Sequence, residues 1–598
     1  MSFACCCAGK LEADATFDDA AKPYARGPSP QVTRGVAIVP TPLNARSKPS
    51  FFKPRAREWN LDAAIASCKA QVAAIAAECY AANRHFRDAA FDVSGSEDDC
   101  LSSLAEAWDR VTPGGSLRVR NIFTSPVFCD NGYDASDIQD GYASWFLAAV
   151  ASACAMPGLL ARVCVARDET VGVYGFIFFK DGEWVPVLID DQLFVTETDF
   201  DHAYLGGIAM TKETFNATLR SGSSSLSFAK AASPNETWLP LLEKAYAKLH
   251  GDYKSIEVGL TGEALEDLTG GITTRTFLKD VADHDALWQC DLVGHLHVDA
   301  LFAASIETKH SYPEMASSNG LLHLHPYAVL RAVEVGGHRL VQLRNPQKGH
   351  EWTGDWSDSS ELWTTEMIDA LGHSGGDDGC FWMAWTDFLD EFTHLERTWI
   401  DDAATSLAVH PSPWVVLRAG WPAAWQPSVF TFDGPDVLSR VTLVLQQADT
   451  RRCIGLEGSY TFGLRCAVYR SPDAKTKKRV LVGQYTQNAF HRSASLQVVL
   501  RPGLYELDVM VVRTASGRAS IADVVAEIGA SRPEKLRQRC EAVDASRARA
   551  KSDVNVLAMA AATQHTAYER ARATGSTDDD GSLEGSVVVG LRLLSKAV

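Results

Sequence analysis

The chain contains 598 residues, 46% of them apolar and 22% charged, which is typical of a soluble globular protein. This length suggests about three to five domains and excludes a single small module held together by disulfides. Acidic side chains outnumber basic ones 75 to 57, so nucleic acid is not expected as a partner, because phosphate binding needs a basic face. Fourteen cysteines without a secretory signal predict a reduced, intracellular and cytoplasmic setting.

The first 57 residues are rich in proline, alanine and basic side chains and show no periodicity, which predicts a flexible N-terminal arm. Within this arm, Cys5, Cys6 and Cys7 are candidates for palmitoylation, which would bring the protein to a membrane face. The alternative is an unmodified tail, and both interpretations are open from the sequence.

A helical N-terminal region is predicted for residues 58–113. Apolar residues recur at spacings of four and three from Leu61 to Phe86, which predicts an amphipathic helix of about seven turns. The stripe fits either a coiled-coil seam or packing against a neighbouring domain, and its small alanine and cysteine side chains favour packing. The apolar stretch from Trp145 to Val165 is interrupted by Pro157 and Arg162, so it predicts a buried core helix and not a membrane span.

Shorter elements are predicted in the middle of the chain. Val173 to Lys180 and Trp184 to Ile189 are β-rich runs joined by Asp181-Gly182, which is the signal of a tight hairpin. Leu239 to Leu249 is predicted as a helix, and His338 to Arg344 as a strand that ends before a proline.

The last third of the chain changes character. Residues 410–530 contain short alternating strands separated by turns, which predict an antiparallel β-sandwich. Residues 533–598 are predicted as a helical C-terminal extension that reaches Arg572 and is followed by a polar tail. The tail ends in the apolar run Val587 to Leu594.

Several segments of the middle region stand out as motifs, and they occur in this order: Gly182-Glu-Trp-Val-Pro-Val-Leu-Ile-Asp-Asp191, Leu241-Leu-Glu-Lys-Ala-Tyr-Ala-Lys-Leu249, Glu263-Ala-Leu-Glu-Asp-Leu-Thr-Gly-Gly271, Leu343-Arg-Asn-Pro-Gln-Lys-Gly-His-Glu-Trp-Thr-Gly-Asp-Trp-Ser-Asp358 and Asp378-Gly-Cys-Phe-Trp-Met383. Together they resemble the calpain family of cysteine endopeptidases. The resemblance implies an α+β fold with a papain-like two-lobed protease core, lobe 1 at residues 114–260 and lobe 2 at residues 261–400. The predicted sandwich at residues 410–530 lies where the family has its C2-like domain.

The resemblance also identifies the position of the catalytic nucleophile. The family has a Gly-Asp-Cys-Trp motif at the start of a buried helix, and alignment on Trp145 puts Ser144 where the cysteine belongs. Gln139 corresponds to the family's oxyanion-stabilising glutamine but lies one residue too close. The nearest cysteines, Cys129 and Cys154, do not fit the motif. The alternative to a nucleophile position is that Ser144 only caps its helix.

The partners of the nucleophile are better matched. His325 resembles the family's catalytic histidine, although Leu324 replaces the usual preceding glycine and His323 lies two residues away. Asn345 matches the asparagine that orients the imidazole. The family's tryptophan that shields this pair from water is Gln347 here, so a weaker shield is expected.

Calcium is the cofactor that the resemblance implies. In lobe 2 the matching calcium ligands are Glu351, Asp358 and Asp378. At the position of a further acidic ligand of the family, this chain has Cys380. Calcium takes six to eight oxygen ligands, so the loss of one carboxylate predicts a weakened site. The alternative is that these acids only solvate the surface.

These departures predict a calpain-like protein whose endopeptidase site is degenerate and inactive, because a serine hydroxyl needs a better base and oxyanion hole than a thiolate does. It would act as a binding or scaffolding pseudopeptidase. Its expected partners are extended peptide or protein segments, with contacts to a membrane or the cytoskeleton. Two alternatives remain: an active calcium-dependent calpain-type endopeptidase, and a purely structural protein associated with the cytoskeleton or a membrane.

Overall fold

The computed structural model of the chain describes residues 61–95, 97–102, 104, 112–130, 132–200, 210–218, 222–307, 317–347, 349–400, 408–411, 415–418, 428–435, 437–458, 460–471, 478–486, 492–541 and 586–597. The predicted N-terminal arm, with Cys5, Cys6 and Cys7, lies outside the described residues, and so does the predicted helix beyond residue 541.

The described α-helices are α1 (Leu61–Ala81), α2 (Glu97–Leu101), α3 (Val119–Ile122), α4 (Ser144–Cys154), α5 (Lys212–Thr218), α6 (Trp238–His250), α7 (Thr261–Thr269), α8 (His284–Ala286), α9 (Thr365–Leu371), α10 (Trp385–Glu391) and α11 (Ile521–Ser531). Residues 533–541 are also helical. None of the described helices is both long and apolar enough to cross a membrane.

The described strands are β1 (Gly115–Arg118), β2 (Ile138–Asp140), β3 (Cys164–Asp168), β4 (Val173–Lys180), β5 (Glu183–Asp190), β6 (Gln192–Val195), β7 (Lys230–Ala231), β8 (Ile272–Phe277), β9 (Ala300–Ser305), β10 (Pro326–Val335), β11 (His338–Arg344), β12 (Cys380–Ala384), β13 (His394–Trp399), β14 (Ala408–Pro411), β15 (Val415–Arg418), β16 (Ser428–Asp433), β17 (Ser439–Gln447), β18 (Tyr460–Arg470), β19 (Val480–Thr486), β20 (Ser493–Leu500), β21 (Leu504–Ala515) and β22 (Ser586–Ala597).

The first hydrophobic core surrounds helices α4 and α6. Residues 145–153 of α4 are all buried, which confirms a core helix for the first half of the predicted stretch. The helix ends at Cys154, and the stretch runs into strand β3 at Cys164. The hairpin β4–β5 packs nearby, and its turn residues Asp181 and Gly182 both have positive φ, at 48° and 89°. Such a turn matches the right-handed twist of the two strands, which explains why Asp-Gly occurs there.

Helix α1 lies on the other face of the sheet β3–β4–β5. Val72 and Cys79 of the helix share a small core with Val173 of β4 and with Val171 in the turn before that strand, so the stripe serves for packing against the neighbouring domain. The helix ends at Ala81, about one turn before the predicted end, and Asn83 just beyond it has a left-handed φ of 47°.

The second core belongs to a six-stranded antiparallel sheet with the strand order β12-β11-β10-β9-β13-β8. Its strands bury large apolar side chains such as Phe302, Tyr327 and Phe381. The predicted strand from His338 to Arg344 is confirmed as β11 in this sheet. Strand β10, which begins directly after His325, packs against α4, so the two cores meet along this helix.

The third core lies between two antiparallel sheets, which we call the two-sheet unit (residues 408–515 and 586–597). One sheet has the order β14-β22-β17-β20, with β15 also paired to β22, and the other has the order β16-β21-β18-β19. Residues 586–597 were predicted to be part of a tail after a helical extension, and this prediction is wrong, because they form strand β22. They pair over nine residues with β17, because an apolar run becomes stable as a strand once a distant partner supplies its hydrogen bonds.

A buried set of charged side chains joins the two-sheet unit to the first core, and we call it the ion cluster. It consists of Lys180, His250, Glu263, Glu266, Asp267, Asp449, Arg451 and Arg492. Asp449 Oδ2 accepts hydrogen bonds from Lys180 Nζ at 2.5 Å and from Arg451 Nη1 at 2.9 Å. Arg492 donates to Glu266 and Asp267, both at 2.8 Å. Each acid has cationic partners, so the cluster locks the two units together.

Candidate functional site

Helix α4 begins at the predicted nucleophile position. Ser144 is the first helical residue and is half-buried. The N-cap position is occupied by Ala143, whose methyl group makes no capping hydrogen bond. The alternative interpretation of Ser144 as a helix cap is therefore wrong. The indole of Trp145, the next residue, is buried and donates its N–H to the carbonyl of Ile256 at 2.7 Å. This bond fixes the first turn of the helix against residues that precede α7.

His325 and Asn345, separated by 19 residues in the chain, form a hydrogen-bonded pair. His325 Nε2 lies 2.7 Å from Asn345 Oδ1. The amide cannot be reversed without loss, because Asn345 Nδ2 donates to the carbonyl of His350 at 2.9 Å and Oδ1 also accepts from the Gln347 backbone N–H at 2.8 Å. Oδ1 is thus the acceptor and Nε2 carries the hydrogen, so the basic lone pair of the neutral ring is on Nδ1.

The pair is dry, which differs from the expectation. Gln347 was expected to weaken the shield, yet His325 is 1% exposed and Asn345 is fully buried. The ring of Tyr327 packs edge-on against His325, with 5.5 Å between the ring centroids. Two backbone groups, the Gln347 N–H and the His350 carbonyl, also contact the Asn345 amide through the two hydrogen bonds just given. Backbone groups and the Tyr327 ring therefore bury the His325–Asn345 pair, a role for which a tryptophan was expected to be necessary.

Leu324, just before this histidine, has a strained backbone. Its φ of 56° lies in the left-handed region, where a non-glycine residue costs about 1–2 kcal/mol. Its N–H donates to the carbonyl of Ile306 at 2.8 Å, which holds this conformation. Leucine at this position, where the family resemblance implied a glycine, therefore adopts a left-handed conformation at a cost in strain. His323 is half-buried and is not the histidine that bonds Asn345.

Arg344 connects this pair to the strand that carries Gln139. Its fully buried guanidinium donates to the carbonyl of Ile138 and to Cys380 Sγ, the latter at 3.0 Å. Gln139 is the next residue of β2 and is half-buried. The structure therefore brings the Gln139 strand and the His325–Asn345 pair to the same junction, where α4 also packs against β10.

Neither nearby cysteine is suited to replace the missing nucleophile. Burial raises the pKa of the Cys129 thiol and raises that of Cys154 well above its usual value. Cys154 is also the last residue of α4, ten residues from the helix start. A thiol must ionise to act as a nucleophile, so both remain unreactive near neutral pH.

The three predicted calcium ligands lie on neighbouring loops. Glu351 accepts the N–H of Gly379, Asp358 accepts that of Gly376, both at 2.6 Å, and Asp378 accepts that of Cys380 at 2.7 Å. Burial and the nearby acids raise the pKa of Glu351 to about 7, and burial raises that of Asp358. Asp358 Oδ1 is buried without a hydrogen-bond partner. His373 Nε2 faces this oxygen at 3.9 Å. Carboxylate oxygens fit a hard cation, whereas the Cys380 thiol does not.

A pair of neighbouring acids, Asp137 and Glu236, was not predicted from the sequence. Asp137, next to β2, hydrogen-bonds to Glu236, and burial together with Glu236 raises the pKa of Asp137 to about 6. Glu236 is 3% exposed and accepts the N–H of Asp130 at 2.8 Å. The two residues are 99 positions apart, and only the folded chain brings them together.

Within the described part of the chain, one group of three metal-ligand side chains has all its ligand atoms within 4.8 Å of one another: His250, Asp267 and Asp449. These belong to the ion cluster. Lys180 Nζ lies 2.5 Å from Asp449 Oδ2, 3.1 Å from His250 Nδ1 and 3.8 Å from Asp267 Oδ2. The ammonium group already takes the central position, so this group is an ion pair network and not a metal centre.

Sequence comparisons identify the domain to which these residues belong. Residues 115–398 match the calpain family cysteine protease domain. The chain is 33% identical over 302 residues to the calpain-type cysteine protease ADL1 of Oryza sativa subsp. japonica, which covers 49% of this chain and 12% of that protein. It is 32% identical over 335 residues to calpain-9 of Rattus norvegicus (53% and 43%) and 32% identical over 365 residues to calpain-9 of Homo sapiens (58% and 47%).

The mixed fold and the matched domain define a calpain-like cysteine peptidase domain. Through residues 115–398, just under half of its length, the chain carries a domain of the calpain-like cysteine peptidase family. It spans less than half the length of each of these relatives.

Proposed function

We propose that this protein is a calpain-like pseudopeptidase that binds extended peptide segments, in a cleft between two papain-like lobes, without cutting them. The observation that carries the proposal is the combination of a well-formed, buried His325–Asn345 pair with a serine at the start of α4. The machinery that orients a base is retained, and the thiol that this base would activate is absent.

The chemistry of serine explains why binding without turnover is the better proposal. A cysteine next to an imidazole ionises readily, whereas a serine hydroxyl must lose its proton during the attack. It therefore depends on a complete oxyanion hole, in which one missing donor costs about 10²–10³ in rate. Gln139 is one residue closer to Ser144 than in the family pattern, so this donor is in doubt as well.

Peptide affinity tests the proposal directly. A pool of fluorescently labelled casein peptides is titrated with the natural protein and with Ser144→Tyr, which fills the cleft at the helix start. Ser531→Tyr, at an exposed position at the end of α11, is the matched control. We expect binding by the natural protein and the control and at least ten-fold weaker binding by Ser144→Tyr. Equal binding by all three proteins, or none, would contradict the proposal. Casein cleavage that disappears in Ser144→Ala would instead identify an active peptidase.

Calcium binding is a second proposal, supported by the raised pKa of Glu351 and Asp358 and by the Asp358 Oδ1 atom that lacks a hydrogen bond. Glu351, Asp358 and Asp378 would hold the ion, and the charge of the ion would relieve the repulsion among the three carboxylates. With Cys380 as a poor ligand, we expect weak affinity, about 10⁻⁴–10⁻³ M, in the range of low-affinity calcium modules. Calorimetry with Glu351→Gln should show loss of binding, while the exposed Glu361→Gln should bind as the natural protein does.

We also propose an intracellular protein that contacts a membrane or the cytoskeleton, with a C2-like role for the two-sheet unit. Palmitoylation of Cys5, Cys6 and Cys7 would support the membrane contact. Metabolic labelling with a palmitate analogue should give a signal that is lost when all three cysteines are replaced by serine. A signal that persists would place the acyl group elsewhere.

A further inference from the structure

We propose that Arg451, which belongs to the two-sheet unit, is a positioning residue for the candidate site. Its guanidinium carbon lies 4.6 Å from the ring centroid of Trp145, the residue directly after Ser144. A side chain just over three hundred residues away in the chain thus touches the first turn of the helix that carries the nucleophile position. The inference deepens the proposed function and rests on it in one respect, that the start of α4 lines the peptide-binding cleft.

The guanidinium is held in one orientation. Arg451 Nη1 donates to Asp449 Oδ2 at 2.9 Å, and Nη2 donates to Glu263 Oε2 at 2.5 Å. The Arg451 backbone N–H donates to Asp449 Oδ1 at 2.8 Å, which fixes the turn itself. A planar group with fixed donors presents its face to an aromatic ring in a defined geometry, which a lysine ammonium cannot do.

The indole is confined on its other sides as well. Trp145 Nε1 donates to the Ile256 carbonyl at 2.7 Å, and Tyr246 packs edge-on at 5.8 Å between centroids. At Gly259 an added Cβ would lie 2.6 Å from the indole and 2.7 Å from Arg451 Nη2, so only glycine allows this approach. With the ring confined in this way, the backbone of residues 144 and 145 cannot shift without breaking one of these contacts.

The contact also links the site to the docking of the two-sheet unit. Asp449, which orients Arg451, is the same carboxylate that binds Lys180 of β4 and Arg492 next to β20. If the two-sheet unit moves away from the first core, Trp145 loses the guanidinium that covers its ring. The geometry of Ser144 therefore depends on the ion cluster, and the cleft is complete only when the two-sheet unit is docked.

The test measures the geometry at position 144 without requiring peptide binding. In a Ser144→Cys background, the alkylation rate of the introduced thiol by iodoacetamide is followed against pH by peptide mass spectrometry, which separates it from the other cysteines. Arg451→Lys keeps the charge and removes the planar stack. The control is Arg452→Lys: Arg452 binds the Leu249 carbonyl at 2.7 Å in the same interface. Thermal unfolding is measured for every variant.

We expect Arg451→Lys to change the alkylation rate at neutral pH by at least three-fold and to shift its pH profile, and we expect Arg452→Lys to leave both within 1.5-fold. Equal rates in the two variants would overturn the inference and make Arg451 a stabiliser of the interface only. Because no peptide is involved, a protein that fails to bind peptides but responds to Arg451→Lys would refute the proposed function and not this inference.

Discussion

Removal of the Asp449 carboxylate should reveal how strongly the ion cluster holds the two-sheet unit. This side chain is 2% exposed and accepts from Lys180 at 2.5 Å, from Arg451 at 2.9 Å and from Arg492 at 3.3 Å. In Asp449→Ala, buried cations would face His250 without their shared counter-charge. Breaking a buried ion pair by removing one partner costs about 3–5 kcal/mol, and we expect a loss in this range.

The assay is urea unfolding followed by tryptophan fluorescence, with limited proteolysis as a second readout, because a chain of several units need not unfold in one step. The matched control is Glu457→Ala, which removes an exposed pair with Arg518 at 3.3 Å and should cost less than about 1 kcal/mol. A double-mutant cycle of Lys180→Met with Asp449→Leu should give a coupling energy above about 1 kcal/mol. A loss below about 1 kcal/mol in Asp449→Ala would refute the reasoning that the cluster is a buried lock.

Further predictions concern acid stability, the catalytic pair and the last strand. Burial and the Lys180 charge lower the pKa of His250 to about 3, so the unfolded chain alone takes up this proton below about pH 6.5. As the pH falls from 6 to 4.5, this histidine should therefore reduce the free energy of unfolding by about 1.4 kcal/mol per pH unit. In His250→Gln the free energy of unfolding should depend correspondingly less on pH over this range. Asn345→Ala leaves the His325 N–H without its acceptor and should cost about 1–3 kcal/mol in urea unfolding; unchanged stability would mean that the pair does not form in solution. Truncation after residue 585 removes β22 from the middle of its sheet and should make residues 408–515 sensitive to protease; full resistance would show that the strand is dispensable.

Local patterns predicted those parts of the fold that depend on neighbouring residues. The Asp181-Gly182 turn needs positive φ at both positions, and strand β11 ends where Asn345 precedes a proline, so both could be predicted from short stretches of sequence. The His325–Asn345 pair was predicted from motif resemblance. The structure brings the two side chains together because His325 directly precedes β10 and Asn345 directly follows its hairpin partner β11.

The features that could not be predicted are contacts between distant segments. Residues 586–597 form an apolar run whose partner, β17, lies about 150 positions earlier, and periodicity carries no information on such pairing. The pairing of Asp137 with Glu236 and the contact of Arg451 with Trp145 have the same origin. The burial of the His325–Asn345 pair was mispredicted, because the expectation rested on a single side chain, Gln347 in place of a tryptophan. The two backbone groups that contact the Asn345 amide were not visible from sequence.

Introduction of a thiol at position 144 tests the central claim most directly. Ser144→Cys and the natural protein are assayed with a broad peptide pool, with and without millimolar calcium, and Ser144→Cys combined with His325→Ala serves as the control. The account predicts that Ser144→Cys cuts peptides, that the natural protein does not, and that His325→Ala removes the gained activity. Cleavage by the natural protein would contradict the proposal of an inactive site. If Ser144→Cys does not cut peptides, this would contradict the claim that the His325–Asn345 pair and the cleft can still support peptide cleavage.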